Sequence, residues 1–217
     1  MPAWALTSLL YEKERAAPIE EIRQLIAANP AVITNVSCTG GRTALIEAAV
    51  REHVEAVALI LEKGAAVEAT DDNEWTALHW AGQKGNAAIA TLLLAKGANV
   101  HARTKHGGRT PAHLAAEQSK PDVLRVLAGG GADMNAKETN EGLTPLHTAV
   151  HWERVSVAKT LLELGADPMA KDAKGELAVN LAHRLYGTIV LYPGHVHAIR
   201  KVFLEFQQQK NLKSFNV

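Results

Sequence analysis

Histidine is the residue type in this chain that most readily suggests chemistry. The sequence contains ten histidines, and imidazole serves both as a zinc ligand and as a general acid or base near neutral pH. His183, His195 and His197 stand close together in the sequence, but no carboxylate or cysteine accompanies them at a recognised metal-ligand spacing. We therefore predict no metal site, and we keep a metal-dependent activity at these three residues only as the weakest hypothesis.

Residues that could act as nucleophiles or hold a nucleotide lack the necessary motifs. Cys38 precedes a Gly-Gly pair without a protease signature, and no serine lies in a Gly-x-Ser-x-Gly turn. The glycine-rich stretches match neither a phosphate-binding loop nor a dinucleotide fingerprint; they are Gly40-Gly41, Gly107-Gly108 and Gly129-Gly130-Gly131. The sequence therefore predicts no catalytic residue, no cofactor and no enzymatic activity.

Three further histidines are periodic. His79, His113 and His147 each follow a threonine by three residues, and this four-residue phrase recurs every 33 or 34 residues. Its copies begin at Thr43, Thr76, Thr110, Thr144 and, in degenerate form, Leu177. Such a period indicates a solenoid or another repeat array. Because stacked helices lie about 8–10 Å apart and a zinc–nitrogen bond measures about 2.0–2.1 Å, successive histidines cannot share one ion.

The second copy shows which elements position these residues. Thr76 can cap a short first helix, and the next position is proline in two sister copies, where a missing N–H costs nothing. Ile89, Leu92 and Leu93 give the apolar stripe of a second helix. A left-handed glycine then ends that helix in each unit; these glycines are Gly64, Gly97, Gly131 and Gly165. Each unit is therefore predicted to be a helix pair followed by an extended loop.

The Thr-Pro-Leu-His phrase, the Gly-Ala-Asp or Gly-Ala-Asn phrase and the period of about 33 residues resemble the ankyrin repeat, well over residues 38–206. The resemblance implies an all-α solenoid of stacked helix–turn–helix units with short β-hairpin fingers, in which fingers and first helices line a concave groove. It also implies a structural role for the Thr–His pairs, each imidazole bonding its own threonine and the adjoining loop. These residues are Thr76, His79, Thr110, His113, Thr144 and His147.

The predicted organisation follows from this register. It comprises a degenerate capping repeat at 1–37, repeats at 38–70, 71–104, 105–138 and 139–171, a divergent capping repeat at 172–206 with an inserted loop at 186–195, and a polar tail at 207–217. The chain departs from the family pattern at three places. Ile46 replaces the histidine, and Glu74 replaces a loop glycine. Gly129 to Gly131 lower the predicted stability of the helix end that contains them and suggest a flexible connection there.

Composition narrows the class of partner. Lys plus Arg and Asp plus Glu both number 23, so the formal net charge is zero, which argues against binding nucleic acid through a net positive field. The sequence contains no apolar stretch of about 18 residues, so it predicts no membrane-spanning helix. A single cysteine favours a reducing compartment. We therefore expect an intracellular protein, in the cytoplasm or the nucleus, or one delivered into a host cell if it is a bacterial effector. We also expect the protein to be a monomer.

Carrying the family's variable positions onto this chain predicts the binding residues. They are Arg42, Arg51, Asp72, Asn73, Trp75, Gln83, Lys84, His106, Arg109, Glu117, Gln118, Asn140, Leu143, His151 and Trp152. Trp75 and Trp152 are bulky aromatics without an evident core role, so we predict them as anchors for a partner; alternatively, each ring rests on the neighbouring finger. Trp80 is expected to pack inside its helix pair.

The leading hypothesis is a non-enzymatic module that binds a protein of unknown identity through the groove. The alternative is a regulatory or effector protein that inhibits or targets a partner enzyme with the loop at 186–195.

Overall fold

The described part of the chain, residues 5–11, 18–34, 40–184 and 193–210 of a computed structural model, alternates short helices with turns. The helices are α1 (Ala5–Tyr11), α2 (Ile19–Ala28), α3 (Ala44–Val50), α4 (Val54–Glu62), α5 (Ala77–Lys84), α6 (Ala87–Ala95), α7 (Pro111–Ala116), α8 (Pro121–Gly129), α9 (Pro145–His151), α10 (Val155–Glu163), α11 (Ala178–Arg184) and α12 (Pro193–Lys210). A 3-10 turn, Pro30–Ile33, follows α2.

The helices form two layers. Each odd-numbered helix packs on the next odd-numbered one from α1 to α11, and the even-numbered helices pack in the same way from α2 to α12. Contacts within each pair, such as α3 with α4 and α5 with α6, join the layers. This arrangement confirms the predicted all-α repeat solenoid, in which each unit contacts its neighbours rather than one central core.

Local chemistry explains where the helices begin and end. The Thr43, Thr76 and Thr144 side chains accept the backbone N–H three residues later, at 3.3–3.4 Å, which satisfies a donor that has no partner in the helix. The second helices end before glycines with φ between 82° and 91°; these are Gly64, Gly97, Gly131 and Gly165. A Cβ at any of these glycines would have open space around it, so backbone conformation rather than crowding favours glycine there.

Small residues allow the first helices to approach one another closely. Ala48, Ala81, Ala115 and Ala149 are fully buried. Gly82 on α5 lies so close to α7 that a Cβ would stand 2.6 Å from the Pro111 carbonyl oxygen. The low aromatic content of the chain therefore corresponds to a tightly spaced helix layer.

The loops between units, here called the fingers, replace the predicted β-hairpins. Their strand-like pairing includes the isolated antiparallel bridges Thr70 to Thr76 and Lys171 to Leu177. Neighbouring fingers are instead joined by single backbone hydrogen bonds of 2.7–3.1 Å. These bonds run from Asp72 N to Gly40 O, Lys105 N to Asn73 O, Thr139 N to Gly107 O and Ala173 N to Glu141 O.

The two ends of the stack bury apolar side chains. Leu6, Ile22 and Ile26 are buried at one end, and Ile199 and Phe203 are buried at the other. Most of the predicted insertion, residues 186–192, lies outside the described residues, whereas its last three residues open α12, with Pro193 at the start of the helix. α12 also continues to Lys210, four residues into the predicted polar tail.

Candidate functional site

Three Thr–His pairs tie the first helices α5, α7 and α9 to the fingers that follow them. The Nδ1 atoms of His79, His113 and His147 accept the backbone N–H of their own threonines at 3.1–3.3 Å. An Nδ1 that accepts a hydrogen bond carries no proton, so Nε2 is the donor. The Nε2 atoms lie 3.0–3.2 Å from carbonyl oxygens about one repeat later; these belong to Ala102, Arg109, Leu143 and Glu176.

Burial keeps these imidazoles neutral. It lowers the pKa of His79 and of His113 from 6.5 to about 4, and the carbonyls that accept from Nε2 offset only part of this effect. Burial likewise lowers the pKa of His147. The three histidines therefore act as hydrogen-bonded connectors and are unsuited to proton transfer near neutral pH.

A second set of structural residues has no counterpart in the sequence-based predictions. One buried polar side chain per finger bonds the turn of that finger; these residues are Asp71, Thr104, Glu138 and Asp172. Asp71, for example, accepts from the backbone N–H of Asn73 and Trp75 at 2.9 and 3.0 Å. Their spacing of 33 or 34 residues was the available signal.

Glu138 makes three such bonds. It accepts from the backbone N–H of Asn140, Glu141 and Leu143 at 2.6–3.2 Å. Burial raises the pKa of Glu138, but these hydrogen bonds outweigh burial and hold the pKa below its ordinary value. The Glu138 carboxylate is therefore ionised at neutral pH.

Three of the predicted binding residues of the first two repeats, Arg42, Arg51 and Trp75, belong to a cluster that is largely satisfied within the chain. We call Arg42, Glu47, Arg51, Trp75 and Trp80 the amino-terminal patch. The Glu47 carboxylate is only 3% exposed and pairs with Arg42 at 3.3 Å and with Arg51 at 2.9 Å. The Arg42 guanidinium lies 4.6 Å from the centroid of the Trp80 ring, and Trp75 packs on Trp80 with centroids 4.7 Å apart.

Trp75 is consequently half-buried and packs on an indole of its own repeat. Trp80 is also half-buried, and its Nε1 donates to Asp71 Oδ2 at 3.1 Å. The patch presents aromatic and cationic groups whose main interactions are already made inside the protein.

Most of the predicted residues of the third and fourth repeats converge around an open cleft of about 240 Å³. We call this the carboxy-terminal cleft. Six of its nine lining residues are predicted binding residues: Arg109, Glu117, Asn140, Leu143, His151 and Trp152. The other three lining residues are Glu138, Glu141 and Thr148.

The walls of the cleft combine an exposed indole with carboxylates. Trp152 is 48% exposed and meets His151 in an edge-on contact, with ring centroids 5.6 Å apart. Arg109 pairs with Glu117 across the cleft lining, and the Glu117 carbonyl accepts from Arg154 Nε at 2.6 Å.

The remaining predicted residues lie outside both clusters. Asp72, Asn73 and His106 are exposed on the fingers. Gln83 and Lys84 are half-buried at the end of α5, and Gln118 is half-buried just after α7.

The predicted histidine cluster falls mostly outside the described side chains. Those of His183 and His195 are not described, and His197 is exposed on α12. No group of three His, Cys, Asp or Glu side chains within the described ranges could hold a metal ion. None of the described helices combines the length and apolar character needed to span a bilayer.

Comparison with known proteins identifies ankyrin repeats over most of the chain. The family profile described as ankyrin repeats (3 copies) matches residues 15–104 and 101–172. The 2-5A-dependent ribonuclease of Mus musculus is 44% identical over 66 residues, which are 30% of this chain and 9% of that protein. The ankyrin repeat protein nuc-2 of Neurospora crassa is 35% identical over 84 residues, 39% of this chain and 8% of that protein.

Inversin of Mus musculus is 37% identical over 78 residues, 36% of this chain and 7% of inversin. The matched segments thus span less than a tenth of these relatives. Helix layers, fingers, Thr–His connectors and the family profile agree, and the chain therefore belongs to the ankyrin-repeat family, whose repeats are generally non-catalytic protein-interaction modules.

Proposed function

We propose that this chain is a non-enzymatic module that binds a protein partner through its concave surface, with the carboxy-terminal cleft as the principal contact. The observation that carries the proposal is the convergence of six groove-position residues around one open cleft. One of them, Trp152, exposes nearly half of its surface although it is among the largest apolar side chains. Tryptophan is enriched among residues that dominate binding energies.

The cleft walls are held in place before any partner arrives. The finger that carries Leu143 is tied to α7 by His113, and its turn is held by three backbone bonds to Glu138. A preformed site loses little conformational entropy on binding. Rigid presentation of a few surface residues is therefore the mechanism that we assign to the repeats.

The test compares partner capture by matched variants. The tagged chain, Trp152→Ala and Met169→Ala are each incubated with lysate of the source organism, and captured proteins are quantified by mass spectrometry. Met169 is the control because it is also a large apolar side chain, 46% exposed, but does not line the cleft. We expect a specific partner to be lost with Trp152→Ala and retained with Met169→Ala.

Adding Trp75→Ala to Trp152→Ala tests the groove as a whole. If a specific partner binds the double variant as tightly as the wild type, the assignment of the concave surface is wrong.

A further inference from the structure

We infer that the carboxy-terminal cleft receives an arginine side chain from the partner protein. This inference rests on the proposed function and specifies the chemistry of the partner. It is carried by one juxtaposition, an exposed indole beside surplus carboxylates in a cleft of side-chain size.

The lining is acidic. Glu117, Glu138 and Glu141 contribute carboxylates, whereas Arg109 is the one guanidinium among the nine lining residues, and it is paired with Glu117. Glu138 is held by backbone N–H groups and forms no ion pair with any described residue. Its carboxylate therefore has no ion-pair partner among the residues that the structure describes.

Among the described residues, Lys174, Arg154 and Arg103 are cations near this lining, and none of the three pairs with Glu138. Arg103 Nη1 donates to the backbone carbonyls of Gly108 and Lys137. Lys174 Nζ is 3.4 Å from Glu141 Oε1, but both side chains are about half exposed, at 51% and 52%, so the pair is weak and open to competition. Arg154 Nε donates to the backbone carbonyl of Glu117 and not to a carboxylate.

The apolar wall of the cleft suits both the methylene chain and the guanidinium group of an arginine. Trp152 offers an aromatic surface, and Leu143 and Thr148 complete the wall. Guanidinium groups stack on indole rings while their N–H donors reach carboxylates, and the methylene stem covers apolar surface. The cleft volume of about 240 Å³ falls below the ~300–1,000 Å³ of small-molecule sites, which favours a single inserted side chain.

The amino-terminal patch provides an internal precedent. There, one guanidinium lies over an indole and pairs with a buried carboxylate, namely Arg42 with Trp80 and Glu47. The cleft repeats the indole and the carboxylates, but its own arginine is directed to Glu117. The partner would supply the group that Arg42 supplies in the patch.

A random-peptide display selection against the whole chain tests the inference, followed by titration calorimetry with a synthetic selected peptide. We expect arginine to recur in the selected peptides. Replacing that arginine by citrulline, which keeps the shape but removes the charge, should weaken binding about tenfold.

Protein variants locate the site. Trp152→Ala and Trp152→Leu should each weaken binding about tenfold, and the leucine variant separates loss of the aromatic face from loss of apolar volume. Glu141→Gln should weaken binding less and flatten its salt dependence. Met169→Ala should bind like the wild type, and circular dichroism verifies that each variant is folded.

The outcomes separate the two proposals. Selected peptides that lose binding with Trp152→Ala but carry lysine, neutral or acidic residues in place of arginine would overturn this inference and leave the proposed function intact. Arginine peptides that bind Trp152→Ala and Trp152→Leu as tightly as the wild type, or a selection that gives no cleft-dependent peptide, would overturn the inference and count against the cleft as the principal contact.

Discussion

Trp75 and Trp152 stand at groove positions of different repeats, yet Trp75 is half-buried and Trp152 is 48% exposed. The two rings have different neighbours, because Trp75 precedes a capping threonine whereas Trp152 follows helix α9. Trp80, four residues after the capping Thr76, supports the ring of Trp75, whereas Trp152 makes an edge-on contact with His151. Trp80 thus gives one groove residue an internal packing partner, and Trp152 remains largely exposed.

Glu47 occupies the same position in the first repeat and has a similar effect on charge. It engages both Arg42 and Arg51, so each of these arginines already has an ion-pair partner inside the amino-terminal patch. Variable groove positions are therefore not independent of the helix beneath them.

Acid should weaken the histidine-linked repeats and spare the first junction, where Ile46 replaces the histidine. The folded pKa values of His79 and His113 are about 4 and their ordinary value is 6.5. The unfolded chain therefore binds more protons between these values, and stability is complete above pH 6.5 and falls as pH decreases. The loss is about 1.4 kcal/mol per pH unit for each histidine, or about 4 kcal/mol for the two at pH 5.

Urea unfolding at pH 7 and pH 5 measures this loss. His113→Asn should reduce the pH slope, while a control substitution at the exposed His101, His101→Asn, should leave it unchanged. A pH-independent unfolding free energy would contradict the role of the buried neutral imidazoles.

Glu47→Ala should disrupt the amino-terminal patch. The substitution removes a buried carboxylate and leaves Arg42 and Arg51 without their shared partner. We expect a loss of about 3 kcal/mol, at the lower end for a broken buried ion pair because both arginines are partly exposed. Urea unfolding measures the loss, and Glu55→Ala, at an exposed position of α4, should change stability by less than about 0.5 kcal/mol.

The two tryptophans should respond oppositely in folding and binding. Trp75→Ala removes packing on Trp80 and should cost about 2 kcal/mol, whereas Trp152→Ala should cost less than about 1 kcal/mol because its ring is exposed. Partner capture should show the reverse order. Equal destabilisation by the two variants would mean that Trp80 does not cause the difference.

Glu74→Gly should stabilise the chain by about 1 kcal/mol. Glu74 has φ 59°, in the left-handed region, where equivalent fingers have Gly41, Gly108 and Gly142. A side chain there is disfavoured by about 1–2 kcal/mol. Thermal unfolding should show a higher Tm for Glu74→Gly and no gain for Glu74→Ala, which keeps the Cβ.

The sequence predicts the repeat framework because framework residues recur at a fixed period. The Thr–Pro–Leu–His phrase and the terminal glycines are sufficient for the all-α solenoid, which the structure and the family profile confirm. The groove is harder to predict. Trp75 could be placed at its position, but its burial depends on Trp80, a contact that periodicity does not encode.

The finger residues illustrate a different limit. Asp71, Thr104, Glu138 and Asp172 keep the repeat period, but they are of three side-chain types, so no single repeated letter reveals all four. Their shared property is the ability to accept backbone N–H groups within a turn. A search for repeated hydrogen-bonding function, rather than repeated residue type, would have identified them.

The backbone bonds between fingers all point the same way. In each of the four bonds a finger donates an N–H to the carbonyl of the finger before it. Duplicating residues 105–138 should therefore leave every donor with an acceptor, so the concave surface can be lengthened by whole units without a break in register. The fold is in this sense modular, and its reach can be extended without redesign of its ends.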